Sequence, residues 1–237
     1  MSSPTNAADR PSCKAKVGLD RVCQPCTTVY PAVNPLFTIG HSTHDYAKFL
    51  GLLKQHEIEV VADVRSRPFS RFPWFSRPEL EKALKENDIR YVFLGLELGA
   101  RRDERECYIG PRADYDLISL TPAFRSGMER LKAGVQSYRV SLMCSEREPL
   151  DCHRTVLVCR HAKPFAEIFH IHADGHLETH EEAEIRMMSR YGAKEGDMFL
   201  SKIELLNAAY KRRGEEINYV DESQSSVVRE EPLNHEY

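Results

Sequence analysis

Four motifs that usually announce chemistry are missing from these 237 residues. No GxxxxGK[ST] loop occurs, and no GxGxxG follows the first apolar stretch, so P-loop triphosphate cleavage and dinucleotide redox lose their usual support. No GxSxG elbow is present, which removes the serine nucleophile carried on that turn. A thiol-phosphatase loop, Cys followed by five residues and Arg, is formed by neither Cys144 nor Cys152. A large net charge is also lacking: the formal value is −3. General attraction to nucleic acid is therefore not expected, and polyanion binding would need a local patch. No apolar run approaches the roughly 20 residues of a membrane span. The stretch MSSPTNAADRPSCK has no apolar signal-peptide core, so no membrane partner and a cytoplasmic location are expected. The seven cysteines should then be mainly reduced thiols, and their odd number argues against a closed disulfide framework.

What is present is a core-forming chain, 41% apolar, flanked by polar ends. Residues 1–34 read as a flexible N-terminal tail, and 221–237 as an acidic, Ser-rich C-terminal tail. The tail pair Cys23-Gln24-Pro25-Cys26 has no second pair at zinc-ribbon spacing, so no role is assigned to it. Between the tails, residues 35–220 read as a single α/β domain. Leu36-Phe37-Thr38-Ile39-Gly40 is a short buried strand, and Tyr46, Phe49, Leu50 and Leu53 mark a helix after it. Residues 58–64, 90–94, 139–144 and 167–171 predict four more strands. Helices are signalled by Ser76-x-x-Glu79, Thr121-Pro122, Asp151, Thr179-x-x-Glu182 and Ser201-x-x-Glu204. Asp174-Gly175 marks a turn, with a short return at Leu177-Glu178-Thr179. Residues 95–120 read as an irregular, charged connection. Strands alternating with helices predict a mainly parallel, open sheet of about five strands, with helices on both faces and further helices at the C-terminal end.

Ligands of such sheets bind beyond the carboxyl ends of the strands, and there the reactive residues gather. His41 and Ser42 follow the first strand, Asp63 and Arg65 the second, and Arg101 lies beyond the third. Cys144 and Glu146 follow the fourth, with Cys152, His153 and Arg154 just after. A free thiol is about 3% ionised at neutral pH. A helix N-terminus, His153 and Arg154 would favour the Cys152 thiolate, and Cys144 is its partner or the alternative nucleophile. His41, His153 and Glu146 are acid/base candidates, with Asp63 to orient an imidazole. Cys144, Glu146, Cys152 and His153 could also ligate a metal, but their spacing matches no standard zinc pattern, so no metal is assigned. Against all this stand plain structural readings: buried Cys as core filler, Asp151 as a cap, and Asp63 with Arg65 as an ion pair.

Residues 65–77 add Arg65, Arg67, Arg71 and Arg77, four aromatic rings and no acid. Arg fits phosphate, and exposed rings can stack on bases. The bland alternative is a proline-rich loop whose rings pin it to the core.

These pieces, in this order, resemble the domain-of-unknown-function 488 family. The resemblance rests on Thr38-Ile39-Gly40-His41-Ser42, Asp63-Val64-Arg65 with Ser70-Arg71, and Arg90-Tyr91. It continues through Leu98-Gly99-Ala100-Arg101, Cys144-Ser145-Glu146, Asp151-Cys152-His153-Arg154, His170-Ile171 and Asp174-Gly175. It implies an α/β domain over roughly 36–220 with a shared pocket, and it does not specify a reaction. Ala100 stands where that pattern usually has a second Gly.

The leading expectation is an enzyme for an anionic, nucleotide or nucleic-acid-derived substrate. Its catalytic candidates are His41, Asp63, Cys144, Glu146, Cys152 and His153. Its binding candidates are Ser42, Arg65, Ser70, Arg71, Tyr91, Arg101 and Arg154. No cofactor is required by the sequence, and oligomeric state is left open. Two alternatives remain: a non-catalytic nucleotide or nucleic-acid module using residues 65–77, and a redox- or metal-responsive cysteine protein.

Overall fold

A computed structural model describes residues 34–192 and 200–222. The Cys23/Cys26 pair and nearly all of both tails lie outside them. Chain order runs β1 (Leu36–Gly40), α1 (Tyr46–Gln55), β2 (Val60–Asp63), α2 (Arg77–Lys85) and β3 (Arg90–Phe93). It continues through α3 (Gly95–Leu98), the strand pair β4 (Tyr108–Ile109) and β5 (Arg112–Ala113), α4 (Tyr115–Ser119), α5 (Pro122–Ser137) and β6 (Val140–Cys144). Last come a π-helical stretch, Arg154–Cys159, running into α6 (Arg160–Ala162), then β7 (Ile168–Ile171), β8 (Leu177–Thr179), α7 (His180–Met187) and α8 (Lys202–Ile217). The expected α/β architecture is present.

The main sheet has six strands in the order β3-β2-β6-β1-β7-β8. All pairings are parallel except the edge return of β8 on β7. Every residue of β1, β2 and β6 is buried, as parallel strands covered on both faces require. Alternation splits their side chains between two cores. Phe37, Ile39, Val61, Met143 and Ile171 pack against Phe49, Leu53, Leu80 and Leu84 of α1 and α2. Leu36, Val60, Ala62, Val140, Leu142 and Cys144 face the opposite way, toward α5, the 154–162 helical segment, α7 and α8.

The Thr179 and Ser201 capping boxes both form, and Thr121 caps α5 through the Phe124 amide. The box expected at Ser76 does not. Ser76 stands at the N-cap of α2, but its hydroxyl is engaged with Ser70, whose amide it accepts at 3.3 Å. Residues 95–120 are more ordered than expected, because α3, β4, β5 and α4 are each too short to show a period. Asp151 caps no helix. It ends a 3-10 turn, and its carboxylate pairs with Arg213 of α8. Among the described residues no helix is long and apolar enough to cross a membrane.

Candidate functional site

Sheet register brings the strand ends level. Gly40 lies beside Cys144, and Asp63 beside Met143 and Phe93. Pairing continues past the strands, with the His41 amide bonded to the Cys144 carbonyl at 2.9 Å and the Ser42 amide to that of Ser145 at 2.9 Å. The chain after β6 then folds back over the end of β1. A Cβ on Gly40 would lie 1.9 Å from the Glu146 carbonyl oxygen, so only glycine permits this return.

That return places Glu146 against two thiols. Its Oε2 accepts from Cys144 Sγ at 2.9 Å and from Cys152 Sγ at 3.0 Å. His153 completes the cluster: its Nδ1 lies 3.7 Å from Cys144 Sγ and 3.9 Å from Cys152 Sγ. The far nitrogen fixes the tautomer. His153 Nε2 sits 3.0 Å from the Val64 carbonyl, so it carries the proton and donates, leaving the Nδ1 lone pair aimed at the sulfurs.

Arg154 sits behind the cluster, fully buried. Its guanidinium donates to the Glu146 carbonyl at 2.6 Å and the Arg147 carbonyl at 3.3 Å, and its amide approaches Cys152 Sγ at 3.4 Å. No carboxylate pairs with it among the described residues. A buried cation without a counter-charge is strongly unfavourable, so the adjoining Cys–Glu cluster is where the balancing negative charge belongs. Burial by itself opposes ionisation of Cys152. The Cys144 hydrogen bond, Arg154 and His153 outweigh it and hold that thiol well below its ordinary value. Burial first, then Cys152, push Cys144 the other way. Desolvation and Cys152 raise the Glu146 carboxyl. His153 would be depressed by burial, but Cys152 and Glu146 raise it.

A second frame holds the neighbouring strand end. Arg65 grips Asp63 bidentately, Nε to Oδ1 at 2.9 Å and Nη2 to Oδ2 at 2.7 Å. Tyr91 donates its hydroxyl to Asp63 Oδ2 at 2.7 Å. Arg65 Nη1 also donates to His41 Nε2 at 3.2 Å, so His41 Nδ1–H faces the Ser42 carbonyl at 3.1 Å. The imidazole stacks on Phe75 with centroids 4.3 Å apart. Burial first, and Arg65 second, lower its pKa to about 4. Both ring nitrogens of His41 are thus engaged, and it holds Arg65 in place.

The two frames border one cavity of about 630 Å³. Cys144, Glu146 and His153 lie on its wall together with Arg65, while Arg67, Phe69 and Arg101 lie nearer solvent. Phe69 is 75% exposed. Cys152 lies behind the wall, 1% exposed. His41, Asp63, Tyr91 and Arg154 support the wall from the second row. Ser42, Ser70 and Arg71 do not reach the cavity: Ser42 holds a left-handed turn at φ 48°, Ser70 accepts the Phe72 amide, and Arg71 stacks on Phe72. Ala100 lines the cavity with no positive φ, so alanine meets no backbone strain there.

The far wall was not foreseen. It comes from Tyr115, from Ile217 at the end of α8, and from Asn218 to Val220 beyond it. The Ala113 amide bonds the Tyr219 carbonyl at 2.9 Å, and Arg101 lies over the Tyr219 ring at 4.7 Å. Tyr219 stands just before the acidic tail, and composition alone gave it no distinction.

A line of buried polar groups leads from Arg154 away from the cavity. Arg154 Nε donates to Thr38 Oγ1 at 3.4 Å. Thr38 is bonded to His170 Nδ1 at 2.8 Å, His170 Nε2 to His180 Nδ1 at 3.1 Å, and His180 Nε2 to the Tyr210 hydroxyl at 2.9 Å. Tyr210 donates to Glu184, which Lys163 pairs at 2.5 Å. With both imidazoles neutral every bond points one way, each group accepting from the one before. Burial depresses both rings, His180 to about 4.

Residues 45–160 match the family described as "Domain of unknown function DUF488", the family that the strand-end motifs resemble. The matched segment contains Asp63, Arg65, Tyr91, Arg101 and the whole thiol cluster, while His41 and Ser42 precede it. No curated protein and no solved structure gives a match.

Proposed function

We propose that this DUF488-bearing chain is an enzyme that acts on an anionic substrate in the strand-end cleft, using sulfur as the reactive atom. The observation that carries the reading is one cavity wall shared by Cys144, Glu146 and His153, with guanidinium groups nearer the mouth. Cys144, which lines the cavity, is the nucleophile. As its sulfur bonds to the electrophilic atom of the substrate, its proton passes to His153 Nδ1. The bond to the leaving group breaks, and the leaving group takes that proton. Water, giving a proton to the same nitrogen, then frees the product and restores the thiol. Cys152 and Arg154 keep negative charge at the cluster, and Glu146 orients both sulfurs.

Arg67 and Arg101 suit phosphate oxygens. Arg67 has no ion-pair partner among the described residues. Phe69 presents an open ring face at the same mouth, which favours a substrate with a planar base beside its phosphate.

The test is turnover of a panel of nucleotides and short oligonucleotides by metal-free wild type, Cys144→Ala, Cys152→Ala and Glu146→Ala. Loss in folded Cys144→Ala supports the reading. Full activity in all three folded variants refutes it. A second reading, a binding module without chemistry, is favoured by the exposed Phe69 alone. It requires affinity that falls steeply with salt and survives loss of both cysteines.

A further inference from the structure

The thiol cluster has the donor set of a metal centre. Cys144 Sγ, Cys152 Sγ and a His153 nitrogen all lie within 4.8 Å of one another. We infer that Cys144, Cys152 and His153 bind one divalent ion of the zinc class, beside the Glu146 carboxylate. The inference rests on the sulfur-based reading above and adds its regulation. An ion held there occupies both sulfurs and the proton-accepting nitrogen, so the enzyme is closed until the ion leaves.

Four features support it. Zinc bonds sulfur at about 2.3 Å and imidazole nitrogen at about 2.0–2.1 Å, so a tetrahedron's sulfur-to-nitrogen edge is about 3.5 Å. The two observed separations, 3.7 and 3.9 Å, are close to that edge. The free lone pair of Nδ1 points at the sulfurs while Nε2–H is anchored on the Val64 carbonyl, the outer hydrogen bond that orients metal-binding imidazoles. Charge also closes. Two thiolates and a carboxylate bring three negative charges, and the ion with Arg154 brings three positive. The buried guanidinium thereby gains the counter-charge that side-chain pairing does not give it. Finally, two thiolates select zinc-class ions over magnesium or calcium.

Sequence spacing hides this set because its members come from different elements. Cys144 ends a strand, and Cys152 and His153 precede the π-helical stretch.

The experiment uses the full chain carrying Cys13→Ser, Cys23→Ser and Cys26→Ser, so that the tail thiols cannot contribute. Cobalt is titrated into chelator-treated protein, then zinc. The expected result is one equivalent bound, with a thiolate-to-cobalt charge-transfer band that zinc abolishes. Affinity should fall about tenfold or more in Cys152→Ser and in His153→Gln. Peptide mapping after iodoacetamide should show Cys144 and Cys152 protected by zinc while Cys107 and Cys159 are unchanged. That mapping needs no further variant, so it decides the matter even where a cluster substitution unfolds the chain. Absence of the band in folded protein, a band unaltered by Cys152→Ser, or unprotected cysteines would overturn the inference. Cysteine-dependent turnover in metal-free protein without zinc binding would sink this inference alone. Zinc binding without such turnover would sink the enzyme reading alone.

Discussion

Lowering the pH should destabilise this protein through two buried imidazoles away from the cavity. His170 and His180 are buried in a one-way series of hydrogen bonds from Thr38 to Tyr210. A proton on His180 Nδ1 would meet the N–H of His170, so the folded state resists it. The unfolded chain takes that proton near the ordinary value of 6.5, whereas folded His180 takes it near 4. Between these values the unfolded state binds more protons, so stability falls as pH drops through this window. The contribution is intact above 6.5 and levels off below 4. The gap of 2.5, from 6.5 to 4, corresponds to about 3 kcal/mol, of which about 2 is lost by about pH 5. His170 acts in the same direction. Such a loss is a large share of a typical folding free energy of about 5–15 kcal/mol. Urea unfolding of wild type and His180→Gln between about pH 7 and 5 measures it. Gln keeps one donor and one acceptor but cannot titrate, so over this range its stability should fall about 2 kcal/mol less than that of wild type. Parallel curves for the two proteins would refute the reasoning.

Three further outcomes follow from the geometry. Gly40→Ala, with its Cβ 1.9 Å from the Glu146 carbonyl, should push the returning loop off β1 and cost more than about 2 kcal/mol. A wild-type urea midpoint would show the loop has another route. Tyr91→Phe removes the hydroxyl that donates to buried Asp63 and should lower unfolding free energy by about 1.5–3 kcal/mol; no change in the denaturant midpoint would mean the bond is dispensable. Phe69→Ala should leave stability within about 0.5 kcal/mol, since the ring is 75% exposed, yet weaken nucleoside monophosphate binding in calorimetry by about 1–3 kcal/mol. Equal affinities would remove the stacking role.

The sheet was legible because its central strands β1, β2 and β6 are buried on both faces, so runs such as Val60-Val61-Ala62 stand out from amphipathic helices. Strand-end polarity marked Asp63, Arg65, Cys144, Glu146, Cys152 and His153; of these Arg65, Cys144, Glu146 and His153 line one cavity, and Asp63 and Cys152 lie behind them. What sequence could not show was depth. Cys144 and Cys152 look alike on paper, yet one reaches the wall and the other sits behind it. Arg101 reaches the mouth and Arg71 does not, because a ring beside Arg71 holds it. The wall made by Ile217 to Val220 depends on a contact between residues 113 and 219, a separation over which no local pattern carries information. The short elements between 95 and 120 were invisible for the opposite reason: each ends before one period repeats.

The strand order also governs when this protein can exist during synthesis. β6 lies between β1 and β2, and β1 borders only β6 and β7. A ribosome that has reached Ser137 has therefore made β1 without either of its neighbours. Cys144 is the last residue of the intervening strand, and Cys152 follows soon after. The sulfurs thus emerge together with the strand that joins β1 to β2, leaving a half-made chain little time to display both thiols without their shelter.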